Sequence, residues 1–323
     1  NTTASNNTAV GYTALGANTT GHSNVAVGKS AGAAVTTATE NTFIGFSAGD
    51  ATTTGSSNTA VGINALGANT TAADNTAVGR HALAANTTGT ENTAVGLGAA
   101  DANTTGNYNV AMGNNTFGTN TTGSENTALG YRAMFANTEG ATNVAVGSSA
   151  LDECTTGDSN TAVGVSALTS VTTADNNTAL GKSAGQEITT GTQNTTVGYA
   201  SLDATTTGGY NTAVGYNAVG ANITGVQNVG VGVDALLLTT GSRNTGLGSY
   251  TLQANTSAND NTAVGNQALY ANTTGASNVA IGPSTLDTCT TGTENIAIGK
   301  AAGDRITTAG ANTAVGTEAL NRN

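Results

Sequence analysis

Hydrophobic and polar positions recur along the chain at every seventeenth residue. Counting from the asparagine of Asn7-Thr8-Ala9-Val10-Gly11, position 1 is Asn7, Asn24, Asn41, Asn58, Asn75, Asn92 and so on to Asn312, with one step of 16 between Asn228 and Asn244. Position 4 is aliphatic or Met in all nineteen copies, and position 5 is always Gly, as in Gly11, Gly28, Gly45 and Gly62. Position 2 is Thr, Val or Ile, and position 3 is mostly Ala. Positions 8 and 9 are usually Ala-Leu, and positions 12 to 15 usually Asn-Thr-Thr-Gly. A fixed short period of this kind marks a repeat architecture that grows by stacking, without one large core.

A β-branched run closed by Gly predicts a strand followed by a turn. Period-2 alternation places positions 2 and 4 on one face of that strand and positions 1 and 3 on the other. Positions 8 and 9 predict a second short strand or extended segment, and no stripe has a helical period. Two or three short segments and two turns within a single repeat make about one lap of a narrow coil. The fold class is therefore all-β: a parallel β-solenoid (β-roll) of about nineteen 17-residue coils. The chain, 1–323, is expected to be a single continuous repeat array with one 16-residue repeat at 228–243. Both ends cut through the repeat unit, so a piece of a longer repetitive protein is expected.

Individual positions carry physical demands. An invariant Gly at position 5 points to a backbone with positive φ, whereas position 15 accepts Ala at 38, 72, 174, 258 and 309, a demand for small size. Stacked asparagines at position 1, about 4.8 Å apart, can form an axial amide ladder. The structural ladder is assigned to Asn7, Asn24, Asn41, Asn58, Asn75 and Asn92 with Gly11, Gly28, Gly45 and Gly62. Position 9 is Gly at 32, 49, 185 and 303; in three of these coils position 12 becomes Val35, Ile188 or Ile306, and in the fourth it is Thr52. That compensation places positions 9 and 12 in one interior, since an unfilled hole of leucine size costs about 2–5 kcal/mol. Cys154 and Cys289 both occupy position 12, eight repeats apart. At about 4.8 Å per coil they cannot approach within the roughly 7 Å that a disulfide needs. The repeat at 228–243 is read as dropping its polar position 12 in favour of Leu236-Leu237-Leu238.

Composition narrows the function. The net charge of −11, with eight scattered Lys and Arg, argues against nucleic acid. No apolar run reaches the roughly 20 residues of a membrane span. His22 and His81 fall at different repeat positions, and no catalytic constellation, P-loop or zinc spacing is present, so no enzyme, cofactor or metal is expected. Acidic residues gather at positions 16 and 17 (Glu40, Asp74, Glu91, Glu125, Asp158, Asp175, Asp260, Glu294), without the nonapeptide of calcium-binding β-rolls. The acceptor sequence for N-glycosylation recurs at position 12: Asn18, Asn69, Asn86, Asn103, Asn120, Asn222, Asn255 and Asn272.

The unit Asn-Thr-Ala-Val-Gly-x-x-Ala-Leu resembles the head repeats of YadA-like trimeric autotransporter adhesins. It also resembles the Asn-Thr-Ala-Val-Gly arrays, with their Asn-Thr-Thr-Gly turns, of phage-like tail-fibre and bacterial surface fibre proteins. The adhesin repeat is somewhat shorter than the one found here. The resemblance implies a β-roll with three chains around one axis, and a role as fibre shaft or in attachment to surface glycans or matrix. The expected function is an extracellular or cell-surface (or virion) structural and adhesive fibre segment. It would self-associate as a homotrimer or filament, with no catalysis, nucleic acid or membrane insertion. In such an assembly the aliphatic face at positions 2 and 4 lies outside each coil. The alternative is a monomeric binding module for ice, glycan or cations; threonine ranks at positions 2, 13 and 14 favour ice, and interruptions such as Val25 and Val110 oppose it.

Overall fold

The computed structural model describes residues 3–321. It contains nineteen strands of three residues each and no helix, every strand occupying positions 2 to 4 of its repeat. The chain packs as two compact units, which divide after Asn160. In the first, β1 (Thr8–Val10) to β9 (Val144–Val146) pair in sequence order, all parallel. In the second, β10 (Thr161–Val163) to β19 (Thr313–Val315) do the same. Register is residue for residue one repeat apart, as in Thr59↔Thr76, Ala60↔Ala77 and Val61↔Val78. Each unit is thus a parallel β-solenoid with one repeat per coil.

The strand faces alternate as the sequence pattern requires. Position 3 is buried in every strand from the second coil on, whereas positions 2 and 4 are half-buried or exposed. Positions 8 and 9 do not form the second strand expected of them. Position 9 is left-handed, with φ of 49° at Leu15 and 51° at Leu66, and position 7 is left-handed too, as at Thr13 and Asn64 (both 56°). Position 17 is the third such site, as at Asp74 (61°) and Glu91 (57°). These inversions alternate the direction in which peptide N–H groups point. The position-7 amide donates to the preceding coil (Ser30 to Tyr12 O, 2.8 Å) and the position-9 amide to the following one (Leu15 to Ala31 O, 3.0 Å). The turns are therefore hydrogen-bonded between coils almost as a sheet would be, without extended backbone.

Left-handed backbone at position 9 gives its glycines a second meaning. A non-Gly residue there carries strain of about 1–2 kcal/mol, which Gly32, Gly49, Gly185 and Gly303 (φ 57–65°) avoid while giving up a core side chain. The space is refilled in two ways. A Cβ on Gly185 would lie 2.9 Å from Ile188 Cδ1, and one on Gly303 3.1 Å from Ile306 Cδ1. At Gly49 and Gly32 it would instead meet the ring of Phe43, at 2.5 and 2.8 Å. One phenylalanine at position 3, fully buried, thus fills two neighbouring coils, and this explains why Thr52 suffices at position 12.

The short repeat corrects the sequence reading. Thr239 is buried and donates its amide to Leu236 O (3.1 Å), the bond position 12 makes elsewhere, as from Asn69 to Leu66 O. Gly241 then accepts from Asn228 Nδ2, as position 15 does in other coils. Position 12 is retained, and the missing residue is position 14, which is exposed in the ordinary turn. An interior residue cannot be removed without opening the core, whereas a solvent-facing turn residue can.

Position 5 combines two constraints: φ lies between 123° and 141°, and a Cβ at Gly62 would sit 2.5 Å from Gly79 O of the next coil. A Cβ at Gly89, position 15, would meet Gly106 O at 2.3 Å, yet five coils carry Ala there, so the backbone yields where φ is ordinary. Gly62→Ala is accordingly expected to destabilise the first unit by about 1–3 kcal/mol and Gly89→Ala clearly less, read from paired urea denaturation curves followed by circular dichroism.

Candidate functional site

The most ordered polar array in each unit is the column of position-1 asparagines. Each backbone N–H donates to the side-chain Oδ1 of the preceding asparagine: Asn24 to Asn7 (2.9 Å), Asn41 to Asn24 (3.0 Å), Asn58 to Asn41 (2.9 Å), Asn75 to Asn58 (3.1 Å), Asn92 to Asn75 (3.0 Å). Each Nδ2 donates to the position-15 carbonyl of its own coil, as from Asn7 to Gly21 O and from Asn58 to Ala72 O. Several reach the preceding Oδ1 as well, Asn41 at 3.1 Å and Asn92 at 3.2 Å. The side chain thus ties the strand's first residue to the far end of the same coil and to the coil before it. Gly11, Gly28, Gly45 and Gly62 close the strand opposite this column, each directly over the next position-5 carbonyl.

A second ladder lies at position 12, where the sequence reading saw glycosylation acceptors. Asn86, Asn103, Asn120 and Asn137 each donate Nδ2 to the Oδ1 of the preceding asparagine, at 2.6–3.3 Å. Asn18, Asn69, Asn86, Asn103, Asn120, Asn222, Asn255 and Asn272 are all buried, and each gives Nδ2 to the position-15 carbonyl three residues on. A glycan on that nitrogen has no room in the folded coil, so these residues serve as interior struts. Cys154 and Cys289 replace them in two coils, fully buried, with Sγ 3.6 and 3.8 Å from the same carbonyl. Burial raises the Cys289 thiol pKa, which further disfavours the reactive thiolate. A third column is the rank of position-13 threonines, read from the sequence as an ice-binding feature; their hydroxyls donate to the next position-13 carbonyl, as from Thr53 to Thr70 O (3.0 Å) and from Thr87 to Thr104 O (3.1 Å).

Outside, position 4 forms an aliphatic column. Val10 is 59 % exposed, Leu180 50 % and Met112 39 %, and the others are partly exposed. Position 2 stands beside it. Most of the clustered acids are exposed at position 17: Glu40, Asp74, Glu91, Glu125, Asp260 and Glu294. Asp158, at position 16, accepts the amide of Ala141 (2.7 Å), and Asp175 is half-buried. Among the described residues no group of three or more His, Cys, Asp or Glu is placed to hold a metal ion, and no helix is long and apolar enough to cross a membrane. The His22 ring lies 3.3 Å from Ser23 Oγ, and the His81 ring 3.3 Å from Asn64 Nδ2.

One carboxyl pair stands out. Asp287 and Asp304 are both at position 10 of consecutive coils, and partial burial together with the neighbouring Asp304 carboxyl pushes the Asp287 pKa up to about 7. A shared proton is the ordinary outcome for two carboxylates held together.

The chain matches no protein-family model, and no curated protein is detectably similar to it. Fold and ladders define its class: a β-solenoid repeat protein whose interior polar groups are spent on holding coil to coil.

Two expectations follow. Asn58→Ala would leave the buried N–H of Asn75 without its partner, at about 1–3 kcal/mol, and the carbonyl of Ala72 with Asn69 Nδ2 alone. Asn86→Val, a residue already found at positions 35 and 171, should be tolerated far better; chemical denaturation of the two variants makes the comparison. The second concerns pH. Asp287 binds its proton more tightly folded than unfolded, so its contribution is fully present below about pH 4 and lost as pH rises through about 7. Hydrogen exchange in the coils around Asp287 should therefore quicken, beyond its intrinsic pH dependence, between pH 5 and 8, and Asp304→Asn should flatten that rise.

Proposed function

We propose that this chain is a structural and adhesive segment of an extracellular or cell-surface (or virion) fibre, a β-solenoid scaffold without catalysis that associates with further copies of itself. The observation that carries the reading is the position-4 column. Nineteen of nineteen residues there are aliphatic or Met although they face outward, whereas other outward positions such as 6, 7 and 17 vary freely between charged, polar and aromatic residues. An apolar requirement at an outward position is what a covered surface would impose. Interior commitment supports the same conclusion from the other side, because positions 1, 3, 8, 9, 12 and 15 are taken up by packing and axial hydrogen bonds. The outward side chains of positions 6, 7 and 17, which take little part in those bonds, would present the surface that meets glycans or matrix.

Light scattering after size exclusion tests the association directly. A native mass that is a multiple of the 31.2 kDa chain is expected, three-fold for a homotrimer and open-ended for a filament. Val78→Lys with Val95→Lys should reduce it to the single chain while leaving the circular dichroism spectrum unchanged, since both side chains point away from the coil. A wild-type monomer would refute self-association. The extracellular assignment is tested separately, by antibody detection on intact cells or virions.

A further inference from the structure

The outward face is electrically polarised across its width. Sequence order within a coil places position 17 just before the strand and position 6 just after it, so the two flank the aliphatic column on opposite sides. In the first unit the edge at position 17 carries Glu40, Asp74, Glu91 and Glu125, and the edge at position 6 carries Lys29 and Arg80; all six are exposed. The second unit repeats the polarity, with Glu294 on one edge and Lys182 and Lys300 on the other. None of these nine takes part in the salt bridges Arg132–Asp152 and Arg243–Asp260. The second of these neutralises the one base at position 17. Asp234 and Glu318, at position 7, are the exceptions on the basic edge.

Resting on the self-association proposed above, we infer that a second copy of this chain docks on this face in parallel orientation, the acidic edge of each copy meeting the basic edge of the other. The geometry decides the orientation. Two such faces brought together by rotation about a line along the coil axis place acid over base on both sides of the apolar column. The same holds for neighbours in a ring of copies about a common axis. Turning the partner end for end instead sets acid over acid and base over base, and like charges juxtaposed across an interface disfavour the wrong partner strongly. The aliphatic column is the same in either direction and cannot discriminate, and the net charge of −11 opposes every association alike. The edges therefore fix the direction.

The experiment combines orientation with charge reversal in the whole chain. Thr8 is exposed on the face near one end of the described residues, and both native cysteines are buried, so a nitroxide label directed to Thr8→Cys reports on one place only. Native mass is measured together with the distance between labels, and then repeated with Lys29→Glu/Arg80→Glu, with Asp74→Lys/Glu91→Lys, and with the two variants mixed. Parallel docking predicts closely spaced labels, a dissociation constant about tenfold or more weaker for each variant alone, and recovery on mixing. An oligomer with distant labels, or one indifferent to both reversals, would overturn the parallel charge-matched docking and leave self-association standing. A wild-type monomer would overturn the self-association itself.

Discussion

The structure depends on hydrogen bonds that run along the coil axis from one repeat to the next. A strand of three residues has too few of them to hold by itself, and each coil contains three left-handed residues that strain the backbone by about 1–2 kcal/mol apiece where a side chain is present. The stack compensates. The position-1 asparagine receives the amide of the next coil on its side-chain oxygen and returns its own amide nitrogen to the far end of its coil. A buried group deprived of such a partner costs about 1–3 kcal/mol, so removing one coil's asparagine injures two coils. Stability of this kind is a nearest-neighbour property, and it explains why position 1 does not vary along the chain while positions a few residues away do.

Much of this is legible in the sequence because stacking repeats every constraint nineteen times. The three-residue strand, its inward position 3, its outward positions 2 and 4 and the glycine at position 5 all follow from period and residue type. What escapes is backbone that contradicts propensity. Leucine at position 9 gives no sign of a left-handed conformation; the signal was the group of glycines at 32, 49, 185 and 303, which read as lost side chains and were also relieved strain. Phe43 as the filler for Gly32 and Gly49 was hidden for another reason: the compensation crosses coils, from position 3 to position 9. The position-12 asparagines matched a surface modification motif while occupying the interior, because Asn-x-Thr describes three residues and says nothing of which way the first one points.

Inside and outside of the coil obey different rules, and the proposed function rests on that contrast. Inward positions are small, amide-bearing or, at position 9, mostly large and apolar, because the next coil is a full repeat away in sequence and in direct contact in space. Outward positions answer to no such neighbour, so variety is the default, as at position 6, where Lys182 lies over Tyr199 and Tyr199 stacks on Tyr216 at 5.6 Å. Uniformity at position 4 is a departure from that default. The segregation of acids and bases to opposite flanks of the same column is a second departure, made of different residues.

The 16-residue coil shows that residue count and structural phase are separable in this chain. Loss of position 14 leaves Asn244 donating to Asn228 Oδ1 at 3.0 Å and Val231 opposite Leu247 in the strand, as in any full-length coil. Every column therefore passes through the deletion without slipping by a residue. The tip of the Thr-Thr-Gly turn is thus a place where chain length can change, and extra segments could be spliced there, one per coil, at the vertical spacing of the strands. A repeat built this way can lengthen, shorten or acquire a displayed loop and still keep its outward face in line.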